Sequence, residues 1–132
     1  MINFRAKSRT KGWVYGDLSV ERIEFGEWAV KHFCVYSNVE HSKITDIDNT
    51  TIGQSSTVID KNGVEMYEGD IVYGAAHWLE RYKPAVVTFR NGSFGLLWHR
   101  GDVEEFNPFT SMCNVEYEVV GNIYDNSELM EE

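Results

Sequence analysis

The sequence predicts a mainly β protein built from short strands. Aromatic residues make up 14% of the 132 residues, and Tyr, Phe and Trp favour strands over helices. The chain contains 11 Gly and only 2 Pro, and Gly-containing turn signals recur between short apolar runs. This length is enough to bury a core in one compact domain or two small lobes. We therefore expect a turn-rich β domain rather than a disordered chain.

The opening of the chain predicts β-hairpins. Residues 2–6 alternate apolar and polar side chains, and a second strand pattern covers residues 13–18 after a polar turn. Residues 21–25 predict a further short strand, which Gly26 ends. Residues 28–36 predict another strand, in which the apolar spacing changes from alternate to consecutive. That change predicts either a bulge or a buried end.

The middle of the chain carries two turn signals that are about one short strand apart. Asn62-Gly63 suits a tight turn because both residue types tolerate positive φ. Gly69-Asp70 suits a second corner, and β-branched residues follow it directly. In such a corner the glycine allows the bend, and the aspartate accepts hydrogen bonds from nearby backbone amides. This combination recurs in small SH3-like barrels.

A clear hairpin follows in the second half. Residues 85–89 and 93–98 predict two strands, and Asn91-Gly92 between them suits a type I′ turn. Residues 115–120 alternate and predict one more strand.

Two segments leave their conformation open. Residues 73–84 form a longer excursion, in which residues 77–82 fit either a helical turn or an ordered loop. Residues 101–112 predict a polar connection that contains aromatic residues. We assign residues 1–58 to an N-terminal β-hairpin region and residues 59–132 to an SH3-like β-barrel region, both within one compact unit.

Charge and cysteine content restrict the partners and the compartment. The formal net charge of −9 disfavours binding to nucleic acid, because an acidic surface repels phosphate backbones. A local basic patch stays open as an alternative, at residues 7–11 or 81–83. Cys34 and Cys113 lie far apart, each among apolar residues, and predict two buried thiols in a reducing compartment. No signal peptide or membrane-spanning run is visible, so we predict a cytoplasmic protein that does not bind membranes.

The sequence carries no pattern of an established catalytic or metal site. The four histidines lack zinc-ligand spacing, and phosphate-binding loops are absent, so we predict no catalytic residue, no metal ligand and no cofactor. One alternative uses the carboxylates of Glu65, Glu68 and Asp70, which occupy one corner and suit a small metal-dependent enzyme. The four histidines are His32, His41, His77 and His99.

Aromatic residues of the second half suggest a binding groove. Large rings supply much of the buried area of a small barrel, so part of this set is expected in the core. The candidate groove residues are Trp78, Tyr82, Trp98 and His99.

Three motifs together resemble the YopX-like proteins of phages and prophages. They are the opening Phe-Arg-Ala-Lys with the later Trp-Val-Tyr-Gly-Asp-Leu, the central Asp-Lys-Asn-Gly and Tyr-Glu-Gly-Asp-Ile-Val, and the closing Gly-Asn-Ile-Tyr. The resemblance covers nearly the whole chain and implies a phage or prophage accessory protein, mostly β, with an SH3-like barrel in its second half. It brings no set of catalytic residues. The motif residues that we predict to be structural are Asp60, Asn62, Gly63, Tyr67, Glu68, Gly69, Asp70, Gly121 and Asn122.

The favoured functional hypothesis is a non-enzymatic module that binds a protein, another copy of this chain included. Small β domains expose strand edges, and the first half carries more large rings than a half-domain can hide. We therefore expect a homo-oligomer assembled through the first half. The alternatives are the metal-dependent enzyme and a nucleic-acid-binding barrel. The rings concerned are Trp13, Phe25, Trp28 and Phe33.

Overall fold

The computed structural model of the chain describes residues 3–74, 84–100, 102–109 and 117–130. Most residues within these ranges lie in strands, which confirms a mainly β protein. No helix within these ranges is long and apolar enough to cross a membrane. The elements are β1 (Phe4–Ser8), β2 (Gly12–Phe25), β3 (Trp28–Ser37), β4 (Lys43–Ile44), β5 (Ile47–Ile59), β6 (Glu65–Tyr67), β7 (Asp70–Gly74), β8 (Pro84–Arg90), β9 (Ser93–Arg100), β10 (Val103–Pro108), β11 (Tyr117–Asn122) and a 3-10 helix (Ser127–Met130).

The strands form two sheets. The first has six strands in the order β4-β3-β2-β1-β5-β6, and the second has five in the order β10-β9-β8-β7-β11. The chain divides into two compact units, Met1–Ser55 and Ser56–Glu132, with the boundary inside β5. Within the described residues β10 and β11 are the two edges of the second sheet and do not pair. A closed SH3-like barrel therefore stays a prediction.

The first unit is organised by two hairpins that share β2. β1 pairs with the start of β2 across the predicted turn, which confirms the first hairpin. The predicted short strand at residues 21–25 belongs to β2, because Ser19 and Val20 continue the pairing with β3. Of the two alternatives for residues 28–36, the bulge is wrong, since the β2–β3 register is unbroken. The end of β3 is buried instead, at Cys34 and Val35.

Gly16 explains how β2 passes the end of β3. A Cβ at this position would lie 1.8 Å from the backbone oxygen of Tyr36. Residue 16 must therefore be glycine for the two backbones to approach so closely. The core of this unit consists of Ala6, Val14, Val35, Ile44 and Ile47.

The second unit confirms the hairpin predicted around Asn91-Gly92. β8 and β9 pair up to Arg90 and Ser93, and φ is 53° at Asn91 and 79° at Gly92. Positive φ at both central residues is what a type I′ turn requires. Among the described residues, the main buried cluster of this unit contains Met66, Val72, Ala85, Val87, Leu96, Trp98 and Tyr117.

Three later predictions have different outcomes. Part of the polar connection at residues 101–112, whose conformation the sequence leaves open, forms β10, which pairs with β9 and places Phe106 opposite Leu97. The strand expected at residues 115–120 is present over residues 117–120 and continues to Asn122 as β11, while residues 115 and 116 lie outside the described residues. Of the excursion at residues 73–84, residues 75–83 lie outside the described part of the chain.

Candidate functional site

Asp60 connects the central turn to β11. Its side chain is buried, at 6% exposure. Oδ1 accepts hydrogen bonds from the backbone N–H of Asn62 and of Val64, each at 2.8 Å, and Oδ2 accepts one from Val119 at 3.0 Å. Burial alone would raise the pKa of Asp60, but these three donors and the charge of Lys61 lower it below its ordinary value. The hydrogen bonds of the turn therefore favour the ionised form of the Asp60 carboxylate.

Asp70 makes the equivalent connection at the second corner. Its carboxylate is 3% exposed, and Oδ2 accepts a hydrogen bond from the backbone N–H of Tyr67 at 2.8 Å. Tyr67 is itself buried, and Glu68 between them is half-buried. A carboxylate held in this way closes the corner between β6 and β7.

Gly69 occupies a backbone position that disfavours other residues. Its φ is +90°, and a Cβ there would lie 3.0 Å from Cε2 of Tyr124. Its N–H donates to the backbone oxygen of Val87, and its own oxygen accepts from the N–H of Ile123, both at 2.9 Å. Gly69 therefore connects β8 to the segment that follows β11. Gly63 also has positive φ, +82°, but faces open space.

The closing motif forms a compact turn. Asn122 Oδ1 accepts hydrogen bonds from the backbone N–H of Tyr124 at 3.0 Å and of Asp125 at 2.9 Å. A Cβ on Gly121 would lie 2.6 Å from Oδ1 of Asn126, so the turn needs a glycine there.

The predicted aromatic groove is only partly within the described residues. Trp98 is 3% exposed and belongs to the core of the second unit. His99 is the next residue of β9, so its side chain points to the other face. There His99 Nδ1 lies 4.0 Å from a carboxylate oxygen of Glu104. Trp78 and Tyr82 lie outside the described residues, so the groove stays a prediction.

The first unit carries a two-stranded arm. Its register pairs Ser19 with Cys34 at the base and Phe25 with Trp28 at the tip. Gly26 has a φ of 60° at the first position of the two-residue turn, which suits a type II′ turn. Among the described residues no third strand pairs with β2 after Gly16 or with β3 before Val35. We call residues 19–34 the arm.

One face of the arm tip is apolar and exposed. Directly opposed residues in an antiparallel pair share a face, and alternate pairs share the same one. Ile23 opposite Val30 and Phe25 opposite Trp28 therefore lie together. Ile23 is 36% exposed, Val30 50%, Phe25 62% and Trp28 79%. We call these four residues the arm patch.

The same face continues toward the base of the arm as a polar group. Glu21 lies opposite His32, and Cys34 follows two residues along β3. The potential ligand atoms of these three residues all lie within 4.8 Å of one another. Within the described residues the predicted corner of Glu65, Glu68 and Asp70 does not form such a group.

An ion pair flanks this group. Nζ of Lys43, on β4, contacts Oε1 of Glu21. The hydrogen bond between them lowers the pKa of Glu21 and raises the pKa of Lys43. Glu21 is therefore ionised and held in one place at neutral pH. Sequence analysis predicted no ligand at His32, because the partners come from two strands whose register it did not establish.

Together these features define a class of small β protein with two antiparallel sheets and an exposed hairpin arm. The chain belongs to the YopX protein family, whose model matches residues 3–131, and the predicted family is thereby confirmed. Among solved structures, it is similar to the crystal structure of protein EF1440 from Enterococcus faecalis. That chain is 21% identical, with a TM-score of 0.55 and 99% of each chain covered, which shows a shared fold. No match was found among proteins with curated descriptions.

Proposed function

We propose that this protein is a non-enzymatic interaction module that associates with a second copy of itself through the arm patch. The observation that carries the proposal is the exposure of four apolar side chains on one face of the arm tip. Contiguous apolar surface of this kind is typical of protein contacts, whereas single exposed apolar residues need no explanation. Phe25 and Trp28 supply large rings of the type that dominate interface energies.

Trp13 and Phe33, the other two rings expected at an association surface, have partners within their own unit. The guanidinium of Arg5 lies 4.6 Å from the ring centroid of Trp13. Phe33 packs against the core of the first unit. Of these four rings, the two left for a partner are therefore Phe25 and Trp28 at the arm tip.

Charge opposes a second copy at this surface only weakly. The arm carries three acidic and two basic residues, so its formal charge is −1, against −9 for the chain. The seven residues from Ser19 to Phe25 span about 20 Å at about 3.4 Å per residue. This exceeds the Debye length of about 8 Å at physiological ionic strength. Contact between two tips therefore brings little repulsion from the remaining acidic charge.

Symmetry also suits this pairing. A two-fold axis places the same patch on both sides of the contact, so apolar surface meets apolar surface without a second matching site. In this proposal the protein is a phage or prophage accessory factor in the cytoplasm of the bacterial host cell, and its second unit closes as an SH3-like barrel. Membership of the YopX family supports the accessory role, and the charge of −9 weighs against nucleic acid as a partner.

Light scattering after size-exclusion chromatography tests the proposal. We expect the mass of the parent protein to rise from monomer to dimer between micromolar and millimolar concentration. The double variant Phe25→Ser, Trp28→Ser is expected to stay monomeric at every concentration. Val103→Thr is the matched control, because Val103 is 65% exposed on β10 and belongs to the second unit. A parent protein that stays monomeric throughout, or a double variant that still dimerises, contradicts self-association through the patch.

A further inference from the structure

The base of the arm carries three donor groups of different chemistry. His32 and Cys34 are two residues apart on β3, so their side chains share a face, and Glu21 lies directly opposite His32 on β2. Their potential ligand atoms all lie within 4.8 Å of one another. A carboxylate, an imidazole and a thiol thus converge from both strands of one regular hairpin.

These donors match the preferences of zinc. Zn²⁺ binds Cys sulfur at about 2.3 Å and His nitrogen or carboxylate oxygen at about 2.0–2.2 Å. In a tetrahedral site, donors at those bond lengths lie about 3.3–3.6 Å apart. From separations of up to 4.8 Å, the three groups therefore need to approach by at most about 1.2–1.5 Å, a distance within reach of side-chain rotation. Magnesium and calcium prefer oxygen donors alone and fit this set poorly.

The group is closed to solvent at Cys34 and partly open to solvent at Glu21 and His32. Cys34 is 0% exposed, while Glu21 and His32 are half-buried. Partial burial lets an ion enter from the solvent side and shields the thiolate from water on the other. Lys43 contacts Oε1 of Glu21, and the Cys34 thiol donates a hydrogen bond to the same carboxylate, so a bound ion replaces that thiol proton. The three residues supply three ligands, so one of the four positions of a tetrahedral ion stays open.

We propose that Glu21, His32 and Cys34 form a zinc-binding site at the base of the arm. This inference is independent of self-association, because the arm patch lies at the tip and contributes no ligand. The alternative for Cys34 is a buried structural thiol, whose Sγ lies 3.7 Å from the backbone oxygen of Ser19. The two alternatives differ in whether the full chain takes up one zinc ion.

Calorimetric titration of the reduced, metal-free full chain with Zn²⁺ tests the site. We expect one ion per chain for the parent protein. Glu21→Gln and His32→Gln should each weaken binding by at least about tenfold, because loss of even an outer-shell partner costs that much. His99→Gln, at a half-exposed histidine of the second unit, is the matched control and should bind as the parent does. The proposal is overturned if the parent takes up no zinc, or if Glu21→Gln and His32→Gln bind zinc as the parent and His99→Gln do.

Cobalt gives a second measurement that reports the thiolate directly. Co²⁺ in a zinc site with a Cys ligand shows a thiolate-to-metal charge-transfer absorption, which we expect in the parent and in Cys113→Ser. We expect its loss in Cys34→Ser. If Cys34→Ser fails to fold, His32→Gln replaces it in the test, because His32 is only half-buried. At the same Co²⁺ concentration, we expect the charge-transfer absorption of His32→Gln to be weaker than that of the parent. The absence of any charge-transfer band in the parent overturns the proposal.

Discussion

Replacing Asp60 by alanine should destabilise the second unit more than any other single change at the central turn. The carboxylate accepts three backbone hydrogen bonds, from Asn62, Val64 and Val119. Alanine removes all three acceptor contacts and leaves the donors to water. Because bonds to charged groups are stronger than neutral ones, about 1 kcal/mol for each is a conservative value. We expect a loss of about 2–4 kcal/mol in the free energy of unfolding.

Urea unfolding followed by tryptophan fluorescence measures this loss, because Trp98 lies in the core of the affected unit. At about 4 °C per kcal/mol, the thermal midpoint should fall by roughly 8–16 °C. Asp102→Ala is the matched control, since Asp102 is exposed in a turn of the same unit. An Asp60→Ala protein within about 0.5 kcal/mol of the parent would refute the argument, because surface changes alone have that size.

The pH dependence of stability gives a further check on the same carboxylate. The pKa of Asp60 is lowered from the ordinary value of 3.8 in the folded state, so the unfolded chain takes up the proton first as the pH falls. The stabilisation from this group is therefore complete well above 3.8 and is lost as the pH falls through the folded pKa. Asp60→Asn lacks this contribution. We expect the difference in unfolding free energy between parent and Asp60→Asn to shrink below pH 3.8.

Two further substitutions test the second corner. Asp70→Ala removes the acceptor for the N–H of Tyr67 and should cost about 1–2 kcal/mol in urea unfolding; a variant as stable as the parent would contradict a structural role. Gly69→Ala introduces a Cβ at positive φ against Tyr124 and should cost about 1–3 kcal/mol. Gly63→Ala has similar φ but open space, so a smaller loss is expected there, and equal losses would show that Tyr124 adds nothing.

Sequence reasoning worked best where one residue type dictates one backbone conformation. Asn91-Gly92 predicts a type I′ turn, and positive φ is present at both residues. It worked less well where tertiary pairing decides the outcome. Residues 103–108 carry charged and polar side chains, but β9 offers a free edge and they pair with it as β10. Such pairing depends on a partner strand and leaves a weak local signal.

The two candidate surfaces also differ in how well the sequence predicts them. Phe25 and Trp28 were expected to lie at an association surface because they are large rings in the first half, and both are exposed. The group of Glu21, His32 and Cys34 was not expected. Glu21 and His32 are 11 residues apart in sequence, and His32 and Cys34 are 2 apart. Only the unbroken β2–β3 register places Glu21 opposite His32. A register is set by the turn, here Gly26-Glu27, so a type II′ prediction at that turn would have revealed the group.

The bond between Asp60 and Val119 also bears on how the chain is made. The two residues are 59 positions apart, which corresponds to roughly 3–12 s of synthesis at about 5–20 residues per second. During that interval the central turn has emerged, but the N–H that completes it has not. β7 meanwhile lacks its neighbour β11, so an unpaired strand edge is open to other chains. The second unit therefore completes its sheet late in synthesis, and aggregation during expression should originate from the edge of β7.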